Sequence, residues 1–455
     1  LQGLNGVTQV LGNLGILGNP SLFSLEGLDN LRHVSGWLLI SNNDTLNSLI
    51  GLERLNSIYD GLSIEGNQNL TSIAGIKDAH IYNSLMIVDN PILSICDEWS
   101  ICRFISDPNV TISNNAPGCN SIEEVEEACN LCPFMDLAFT NQQAVDNFPI
   151  YYPNCTKIRG DLLITGSNIT NLEGFQNITT IEGSLRIYDT RSICNLDGLN
   201  NLASIGGYIW LADNILLEDL NGLNSLTSVG GGIEIRGNDL LVNLAGFDML
   251  ETIHGDFTIF NNPGLLNLDG LESLTTIDGK LKIARNSSLK NLSGLSDLTF
   301  IERSLSIEYI NSLESLSGLN NSLVINENLM VISNDSLENL SGLEHVAVSN
   351  SYVIDGNISL RSLNGLPSVQ TFPTSLSISN SPLLLDLSGL QEVTTINGTL
   401  RIYGNESLST LHGLDSLNNV YGHLNIGTYY SNGNPNLINL SGLDNLDSII
   451  GSLIV

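Results

Sequence analysis

The sequence predicts a mainly β fold, a leucine-rich β-solenoid whose coils are 24 residues long. Three observations predict it. A Leu-x-Gly-Leu motif returns at a fixed distance, each repeat contains a short apolar/polar alternation, and an Asn returns at one position of the repeat. A sustained period in this range is typical of solenoids, in which one coil cannot bury its apolar face alone and stacked neighbours complete a continuous core.

The repeat occurs in two blocks. The motif begins at Leu1, Leu25, Leu49 and Ile73, and again at Leu172, Leu196, Leu220, Leu244, Leu268, Leu292, Leu316, Leu340, Leu363, Leu387, Leu411 and Leu440. Within each block the interval is 24, apart from one of 23 and one of 29. The longer interval predicts a looped insertion at residues 428–434, which contains Tyr429 and Tyr430.

Each repeat contains one predicted strand. Gly398-Thr399-Leu400-Arg401-Ile402 alternates apolar and polar residues with period two, which indicates a half-buried strand. Leu400 and Ile402 are expected to point inward, and Arg401 and Tyr403 outward. Stacking equivalent strands coil upon coil gives a parallel sheet with a strand spacing of about 4.8 Å.

An Asn that follows each strand predicts a stacked ladder of side-chain amides at a turn, which we favour over a metal-binding role. It stands at Asn19, Asn43, Asn67, Asn214, Asn238, Asn262, Asn286, Asn334, Asn357 and Asn405. Thr190, Ile310 and Ser381 interrupt it, so those coils are predicted to be locally irregular.

The pattern divides the chain into three segments. Residues 1–95 form a first solenoid block of four coils, residues 96–155 a cysteine-rich capping junction, and residues 156–455 a second block of twelve coils. Open solenoid ends expose apolar core and sheet edges, so caps are expected between the blocks.

Two short capping helices are predicted in the junction. Ser121-Ile122-Glu123-Glu124 is a capping box that leads into Val125–Ala128. A weaker box at Thr140-Asn141-Gln142-Gln143 leads into Ala144–Phe148, where Pro149 is expected to stop the helix.

Six of the seven cysteines lie in or beside the junction, at Cys96, Cys102, Cys119, Cys129, Cys132 and Cys155. This clustering favours disulfides and an oxidising compartment. Six cysteines allow fifteen pairings, of which Cys96–Cys102, Cys119–Cys129 and Cys132–Cys155 are the plausible set, with Cys194 unpaired. Zinc is the competing interpretation of Cys129-x-x-Cys132, but no second close pair of ligands completes a tetrahedral site. No metal or other cofactor is therefore expected.

Charge limits the partners. Sixteen Lys and Arg against 48 Asp and Glu give a net charge of −32, which argues against nucleic acid and anionic lipid surfaces. The sequence contains no run of about 18 apolar residues, so a membrane span is not expected. The chain begins and ends within a repeat, which suggests an interior piece of a longer precursor.

Outward strand positions of the second block combine aromatic and basic side chains in a chain with few bases, which is typical of surfaces that hold sugar rings or partner side chains. The alternative is that these residues only pack on one another across the coils. The candidate binding residues are Arg186, Tyr188, Trp210, Arg236, Phe260 and Lys282, with Arg401 and Tyr403 as a second candidate beside the insertion.

Asn154-Cys155-Thr156-Lys157-Ile158-Arg159-Gly160-Asp161-Leu162-Leu163-Ile164 resembles the opening of the receptor L domain. The stretch from Cys96 to Cys129 is more similar to bacterial members of that family, especially secreted surface proteins of the Bacteroidetes. The resemblance implies a right-handed β-helix-like solenoid and an extracellular or cell-surface location. Hormone binding is not implied, because the cysteine-rich module that follows the first L domain of animal receptors is absent.

No catalytic motif of the common hydrolase, metalloprotease or nucleotide-binding types occurs, so an enzyme is not expected. The leading hypothesis is a non-catalytic adhesion or recognition protein that binds a cell-surface glycan or protein through the sheet face. The alternative is a structural stalk or envelope component of a larger surface assembly. A polysaccharide-acting enzyme, which would need a cleft with close carboxylates, is the third hypothesis.

Overall fold

The computed structural model describes residues 1, 3–130, 132, 136–319, 322–427 and 433–455. The chain forms two compact units, Leu1–Phe134 and Met135–Val455. Both are parallel β-solenoids, so the predicted fold class is confirmed. In the described part of the chain, no helix is long and apolar enough to cross a membrane.

The first unit has two ladders of strands. Its strands are β1 (Gln9–Val10), β2 (Leu14–Leu17), β3 (His33–Val34), β4 (Trp37–Ser41), β5 (Ser57–Ile58), β6 (Gly61–Glu65), β7 (His80–Ile81), β8 (Leu85–Val88) and β9 (Val110–Ser113). Its helices are α1 (Trp99–Cys102) and α2 (Ile122–Asn130), with one 3-10 turn at Ala74–Ile76. The longer strands pair in the order β2-β4-β6-β8-β9, and the two-residue strands in the order β1-β3-β5-β7.

The second unit repeats the same plan. It begins with β10 (Leu137–Phe139) and α3 (Gln142–Tyr151). The long strands that follow, with the shorter β34 and β36 at the end of the series, are β12 (Leu162–Thr165), β14 (Leu185–Tyr188), β16 (Ile209–Ala212), β18 (Ile233–Arg236), β20 (Phe257–Phe260), β22 (Leu281–Ala284), β24 (Leu305–Glu308), β26 (Asn328–Ile332), β28 (Ser351–Asp355), β30 (Ser375–Ser379), β32 (Leu400–Tyr403), β34 (Leu424–Asn425) and β36 (Leu453–Ile454). With β10 they form one sheet of 14 strands.

Two-residue strands alternate with the long ones and form two further sheets, β11 to β27 and β29 to β35, which the sequence pattern did not predict. These strands are β11 (Lys157–Ile158), β13 (Thr180–Ile181), β15 (Ser204–Ile205), β17 (Ser228–Val229), β19 (Thr252–Ile253), β21 (Thr276–Ile277), β23 (Phe300–Ile301), β25 (Val324–Ile325), β27 (Ala347–Val348), β29 (Thr371–Phe372), β31 (Thr395–Ile396), β33 (Asn419–Val420) and β35 (Ser448–Ile449). Single 3-10 turns lie at Glu173–Phe175, Asn221–Leu223 and Ser293–Leu295.

The core is a column of aliphatic side chains to which every coil contributes. In the coil that starts at Leu387, the buried side chains are Leu387, Leu390, Val393, Ile396, Leu400, Ile402 and Leu408, each at most 1% exposed. Full burial of one such side chain stabilises the fold by roughly 1.5–3 kcal/mol. The predicted strand direction holds, since Leu400 and Ile402 are buried while Arg401 is exposed.

The glycine of the Leu-x-Gly-Leu motif lets consecutive coils approach. Gly413 has φ +110°, and a Cβ there would lie 2.2 Å from the carbonyl oxygen of Leu387 in the preceding coil. Any side chain would therefore push the two coils apart and strain the backbone.

The Asn ladder satisfies backbone groups between coils. The Nδ2 of Asn238 donates to the Leu211 carbonyl at 3.0 Å and to Oδ1 of Asn262 at 3.2 Å, while its own Oδ1 accepts the Asn214 backbone N–H at 3.2 Å. Asn238 is fully buried. Its role is structural, as the spacing predicted. Three further residues that the sequence analysis omitted belong to the ladder, namely Asn90, Asn115 and Asn434.

The prediction of irregular coils at the three interruptions is wrong. Backbone N–H groups of Ile310 and Ser381 still donate to the next Asn in the ladder, and the hydroxyl of Thr190 donates to Asn214 at 2.7 Å. The neighbouring strands keep their register. A turn of this type depends on a backbone donor, which every residue except proline supplies.

The junction contributes a strand to each unit as well as helices. β9 pairs with β8, and β10 pairs with β12. The sequence carries a signal for β9, because Val110-Thr111-Ile112-Ser113 alternates and is followed by the ladder residue Asn115. The division into residues 1–95, 96–155 and 156–455 remains a prediction about the organisation of the chain.

Both predicted helices form. Ser121 caps α2 by accepting the Glu124 N–H at 3.3 Å, and Glu124 reaches back to the N–H groups of Gly118 and Asn120. Helix α3 is capped by Asn141, which accepts the Ala144 N–H at 3.0 Å.

The expected stop at Pro149 is wrong, because α3 continues through it to Tyr151. Proline removes one hydrogen bond in the last turn, and the Tyr152 N–H still closes that turn on the Phe148 carbonyl at 2.9 Å.

The disulfides link segments about one coil apart. Cys96 bonds to Cys119 and Cys102 to Cys129, at sequence separations of 23 and 27. The expected pairs Cys96–Cys102 and Cys119–Cys129 are therefore wrong. Stacking brings residues one coil apart together, whereas both expected pairs join cysteines that are nearer in sequence.

The remaining cysteines follow the expected use. Cys132 and Cys155 are also disulfide-bonded, as the third predicted pair requires. Cys194 carries a free thiol and is exposed.

Candidate functional site

The outward face of the 14-stranded sheet carries the first candidate residues in two rows, which we call the first and second rows. The first row contains Arg186, Trp210, Glu234, Thr258 and Lys282. The second row contains Tyr188, Ala212, Arg236, Phe260 and Ala284. All but the two alanines are partly exposed, and these alanines are buried although their strand positions face outward.

Trp210 is held between an aromatic ring and a cation. The Tyr188 ring centroid lies 5.0 Å from that of Trp210 at a tilt of 38°. On the next strand, the Arg236 guanidinium lies 5.5 Å from the Trp210 ring centroid. Both contacts are within the range of favourable aromatic and cation–π interactions. The structure thus brings three of the predicted residues into one cluster.

Arg186 contacts two residues that directly precede the neighbouring strands. Its guanidinium lies 5.0 Å from the Tyr208 ring centroid and donates to Asp161 across a 2.8 Å ion pair. Tyr208 was not among the sequence candidates, because it directly precedes β16 and the alternation rule assigns faces only within a strand.

Every base in this part of the face has an acidic neighbour. Arg236 lies 3.2 Å from Glu234 and 3.6 Å from Asp213, and Lys282 lies 2.7 Å from Glu308. Burial tends to raise the pKa of Glu308, but hydrogen bonds from Lys282 and Ser306, with the charges of Lys282 and Arg285, hold it below its usual value.

Phe260 extends the cluster along the second row. It pairs with Arg236 across the ladder, and the Arg285 guanidinium lies 5.9 Å from its ring centroid. The same guanidinium lies 5.1 Å from the Tyr309 ring centroid. The period-two pattern does not reach Arg285 and Tyr309, because both occupy the turn after the strand, where φ is +58° and +55°.

A groove of about 470 Å³ opens beside this cluster, and we call it the Gly232 groove. Among its lining residues are Tyr208, Trp210, Gly232, Glu234, Asp256 and Lys280. Tyr208, Gly232 and Asp256 each stand one residue before a strand and follow one another coil by coil. A Cβ at Gly232 would lie 2.5 Å from the Asp256 carbonyl oxygen, so the glycine lets these two coils approach, and no side chain stands between Tyr208 and Asp256.

The second sequence candidate lies elsewhere on the sheet. Arg401 is exposed and Tyr403 partly exposed, and both face outward on β32, where they pair with Ser377 and Ser379 of β30. The structure does not bring them to the Trp210 cluster. Tyr429 and Tyr430, expected beside them, lie outside the described residues.

The first unit has its own groove on the outward face of its long strands. It has a volume of about 460 Å³, and its lining is mainly apolar, with Leu17, Trp37, Leu39 and Met86. Among the described residues that line it, Glu65 is the one that carries a charge. The described residues contain no cluster of three or more His, Cys, Asp or Glu side chains that could hold a metal ion.

Part of the second unit is similar to a known protein family. Residues 154–217 match the receptor L domain family. These residues contain Arg186, Tyr188 and Trp210, and the match agrees with the resemblance of the segment from Asn154. A search of curated proteins finds no match to the chain.

A solved structure, the crystal structure of a TLR13-ssRNA13 complex, aligns over 93% of this chain and 81% of its own, at 14% identity and a TM-score of 0.19. With so low a TM-score, that likeness carries no argument about ligand or fold.

Proposed function

We propose that the protein is a non-catalytic recognition protein of the cell surface or extracellular space, and that it binds a glycan or a protein partner through the outward face of the second unit. The observation that carries this proposal is the fixed position of Trp210 between Tyr188 and Arg236, at the edge of the Gly232 groove. Aromatic and arginine side chains are enriched where proteins bind partners, and concave sites with a few placed polar groups are typical of ligand binding.

Compartment and charge support the proposal. Cysteines paired as Cys96–Cys119 and Cys102–Cys129 fit an oxidising compartment. A net charge of −32 disfavours nucleic acid as the ligand. The receptor L domain match, over residues 154–217, contains Tyr188 and Trp210 of the cluster. A source among the Bacteroidetes is part of the proposal, on the resemblance of the junction.

A glycan-array screen of the purified chain, run beside Trp210→Ala, tests the proposal. Binding that Trp210→Ala abolishes supports a glycan-binding surface at this position. If no glycan binds, a pull-down from the native cell surface with both proteins decides whether the partner is a protein. Capture that does not depend on Trp210 contradicts the proposed site.

A structural role in a larger surface assembly is the second candidate, and exposed apolar side chains on neighbouring coils favour it. Leu240, Val242 and Leu266 are 44%, 40% and 51% exposed, and the Leu266 N–H donates to the Val242 carbonyl of the preceding coil at 2.9 Å. Contiguous exposed apolar surface often marks contact with another protein. Lateral association that Val242→Asp and Leu266→Asp abolish, with no ligand for the Trp210 face, would favour this role.

A further inference from the structure

We infer that the Gly232 groove binds an uncharged sugar ring of a neutral glycan. This inference rests on the proposed function, which leaves a glycan and a protein partner open, and it names the ligand class. The groove volume of about 470 Å³ falls within the range of about 300–1,000 Å³ that is typical of small-molecule sites.

No side chain stands at Gly232 in the lining of the groove, because a Cβ there would lie 2.5 Å from the Asp256 carbonyl oxygen. The equivalent positions in the neighbouring coils carry Ser184, Tyr208, Asp256 and Lys280. The groove at Gly232 is bounded by Tyr208 and Trp210 on one side and by Asp256 and Lys280 on the other. The groove therefore has one aromatic wall and one polar wall.

The rings of the aromatic wall contact neighbouring side chains. Tyr188 and Arg236 both contact the Trp210 ring, and Arg186 contacts the Tyr208 ring. A ligand therefore meets rings whose orientation is already set, which reduces the entropic cost of binding. A flat aromatic surface suits a ligand with an apolar face, and the C–H groups on one face of a pyranose ring supply such a face.

The polar wall offers acceptors and donors in balanced pairs. The Asp256 carboxylate lies 3.4 Å from the Lys280 ammonium, and the Glu234 carboxylate lies 3.2 Å from Nε of Arg236. Carboxylate oxygens accept hydrogen bonds and the ammonium donates them. Hydroxyl groups do both, so a ring with several hydroxyls can use the whole wall.

The charges select against ionised ligands. An acidic sugar would bring its carboxylate close to Glu234 and Asp256, in a chain whose net charge is −32. An amino sugar would compete with Lys280 and Arg236, which already neutralise these two carboxylates. A neutral sugar ring is not repelled by the two carboxylates and does not compete with the two bases.

Isothermal titration calorimetry of the whole chain with three hexasaccharides tests the inference. The probes are a neutral hexamer of glucose or mannose, an anionic hexamer of galacturonic acid and a cationic hexamer of glucosamine. We expect the neutral hexamer to bind and both charged hexamers to bind at least about tenfold more weakly. Trp210→Ala should weaken neutral binding by about tenfold or more, since a stacking surface is lost.

Met330→Ala is the matched control, because Met330 is in register with Lys282 two strands further along the same sheet and lies outside the groove. It should change affinity less than about twofold. Tyr208→Ala, with an unchanged thermal midpoint, is a second variant that should reproduce the loss if Trp210→Ala disturbs folding.

Tighter binding of either charged hexamer, or neutral binding that survives both variants, would overturn the inference. Failure of all three hexamers also overturns it. In that case, a pull-down in which Trp210→Ala abolishes capture of a surface protein leaves the proposed function standing. If the capture of a surface protein does not depend on Trp210, both the inference and the proposed function are contradicted.

Discussion

The aromatic rings of Tyr188 and Trp210, on neighbouring strands and two positions apart along the strand, lie 5.0 Å apart. Their strand positions belong to different rows, so the contact runs diagonally across the sheet face. Residues one coil apart are thereby coupled at the surface as well as in the core. Trp210 is positioned by its neighbours in space, none of which adjoins it in sequence.

We predict that Arg236→Ala loosens Trp210 without unfolding the coil. The guanidinium 5.5 Å from the indole is lost, and an exposed cation–π contact contributes about 0.5–1 kcal/mol. Acrylamide quenching of Trp210, measured in a Trp37→Phe, Trp99→Phe background, should increase. Arg191→Ala is the control and should leave the quenching of Trp210 unchanged. Among the described residues, Arg191 forms an ion pair with exposed Asp189 alone.

We predict that Asn238→Ala destabilises the turn of its coil. The substitution leaves the Leu211 carbonyl and the Asn214 N–H without their partners in a fully buried position. Each buried unsatisfied group costs about 1–3 kcal/mol. Native-state hydrogen exchange at the Asn214 amide should accelerate accordingly.

Asn201→Ala is the control for that measurement. Asn201 also donates from Nδ2 to a backbone carbonyl one coil earlier, that of Gln176 at 2.7 Å, but it is exposed. Water can replace its hydrogen bond, so the effect should stay within about 0.5 kcal/mol. Equal effects of the two substitutions would show that burial of the ladder is unimportant.

We predict that the disulfide between Cys102 and Cys129 stabilises the first unit. It closes a loop with a sequence separation of 27 and joins α1 to α2. Replacing both cysteines with serine should lower the unfolding free energy of this unit by about 2–4 kcal/mol. Thermal unfolding measured with and without the substitutions checks this, and Cys194→Ser should have no comparable effect because that thiol is free.

Peptide mapping without reduction checks the connectivity directly. It should recover the pairs Cys96–Cys119 and Cys102–Cys129. Recovery of Cys96 joined to Cys102 would contradict the structure.

We predict a low pKa for Asp415. Its carboxylate accepts the Gly413 N–H at 2.9 Å, and this bond, with a smaller contribution from His412, holds its pKa below the ordinary value of 3.8. Because the folded-state pKa is depressed, the contact stabilises the turn above the unfolded pKa and is lost as pH falls through the folded-state pKa.

A carbon-13 NMR titration of the Asp415 carboxyl group measures that pKa. Since the Gly413 N–H is the main cause, His412→Ala should leave the pKa below 3.8. A return to 3.8 in that variant would show that the His412 side chain is the cause instead.

Several features of the fold could be predicted from the sequence because they repeat. The buried positions of Leu400 and Ile402 follow from alternation, and the ladder role of Asn238 follows from its return every coil. Repetition works because each coil meets the same neighbour above and below, so one local rule applies along the unit.

Features set by a single coil were harder to predict. Six cysteines allow fifteen pairings and the sequence pattern does not choose among them, whereas stacking brings Cys96 to Cys119. A local sequence rule predicts that helix α3 ends at Pro149, but its last turn closes with a hydrogen bond to the Phe148 carbonyl.

The candidate site divides in the same way. Sequence placed Arg186, Tyr188, Trp210, Arg236 and Phe260 on one outward face, because alternation within a strand fixes which side a residue takes. It could not include Tyr208, Arg285 or Tyr309, which lie before or after the strands.

The sequence by itself determined the coil, its core and its outward face, since a period of 24 residues is a property of the chain alone. Only the tertiary structure decided which side chains meet, namely Tyr188 with Trp210, and which residues line the groove at Gly232. The physical reason is that such contacts join residues about one coil apart, and their geometry depends on how side chains of different size stack on successive strands.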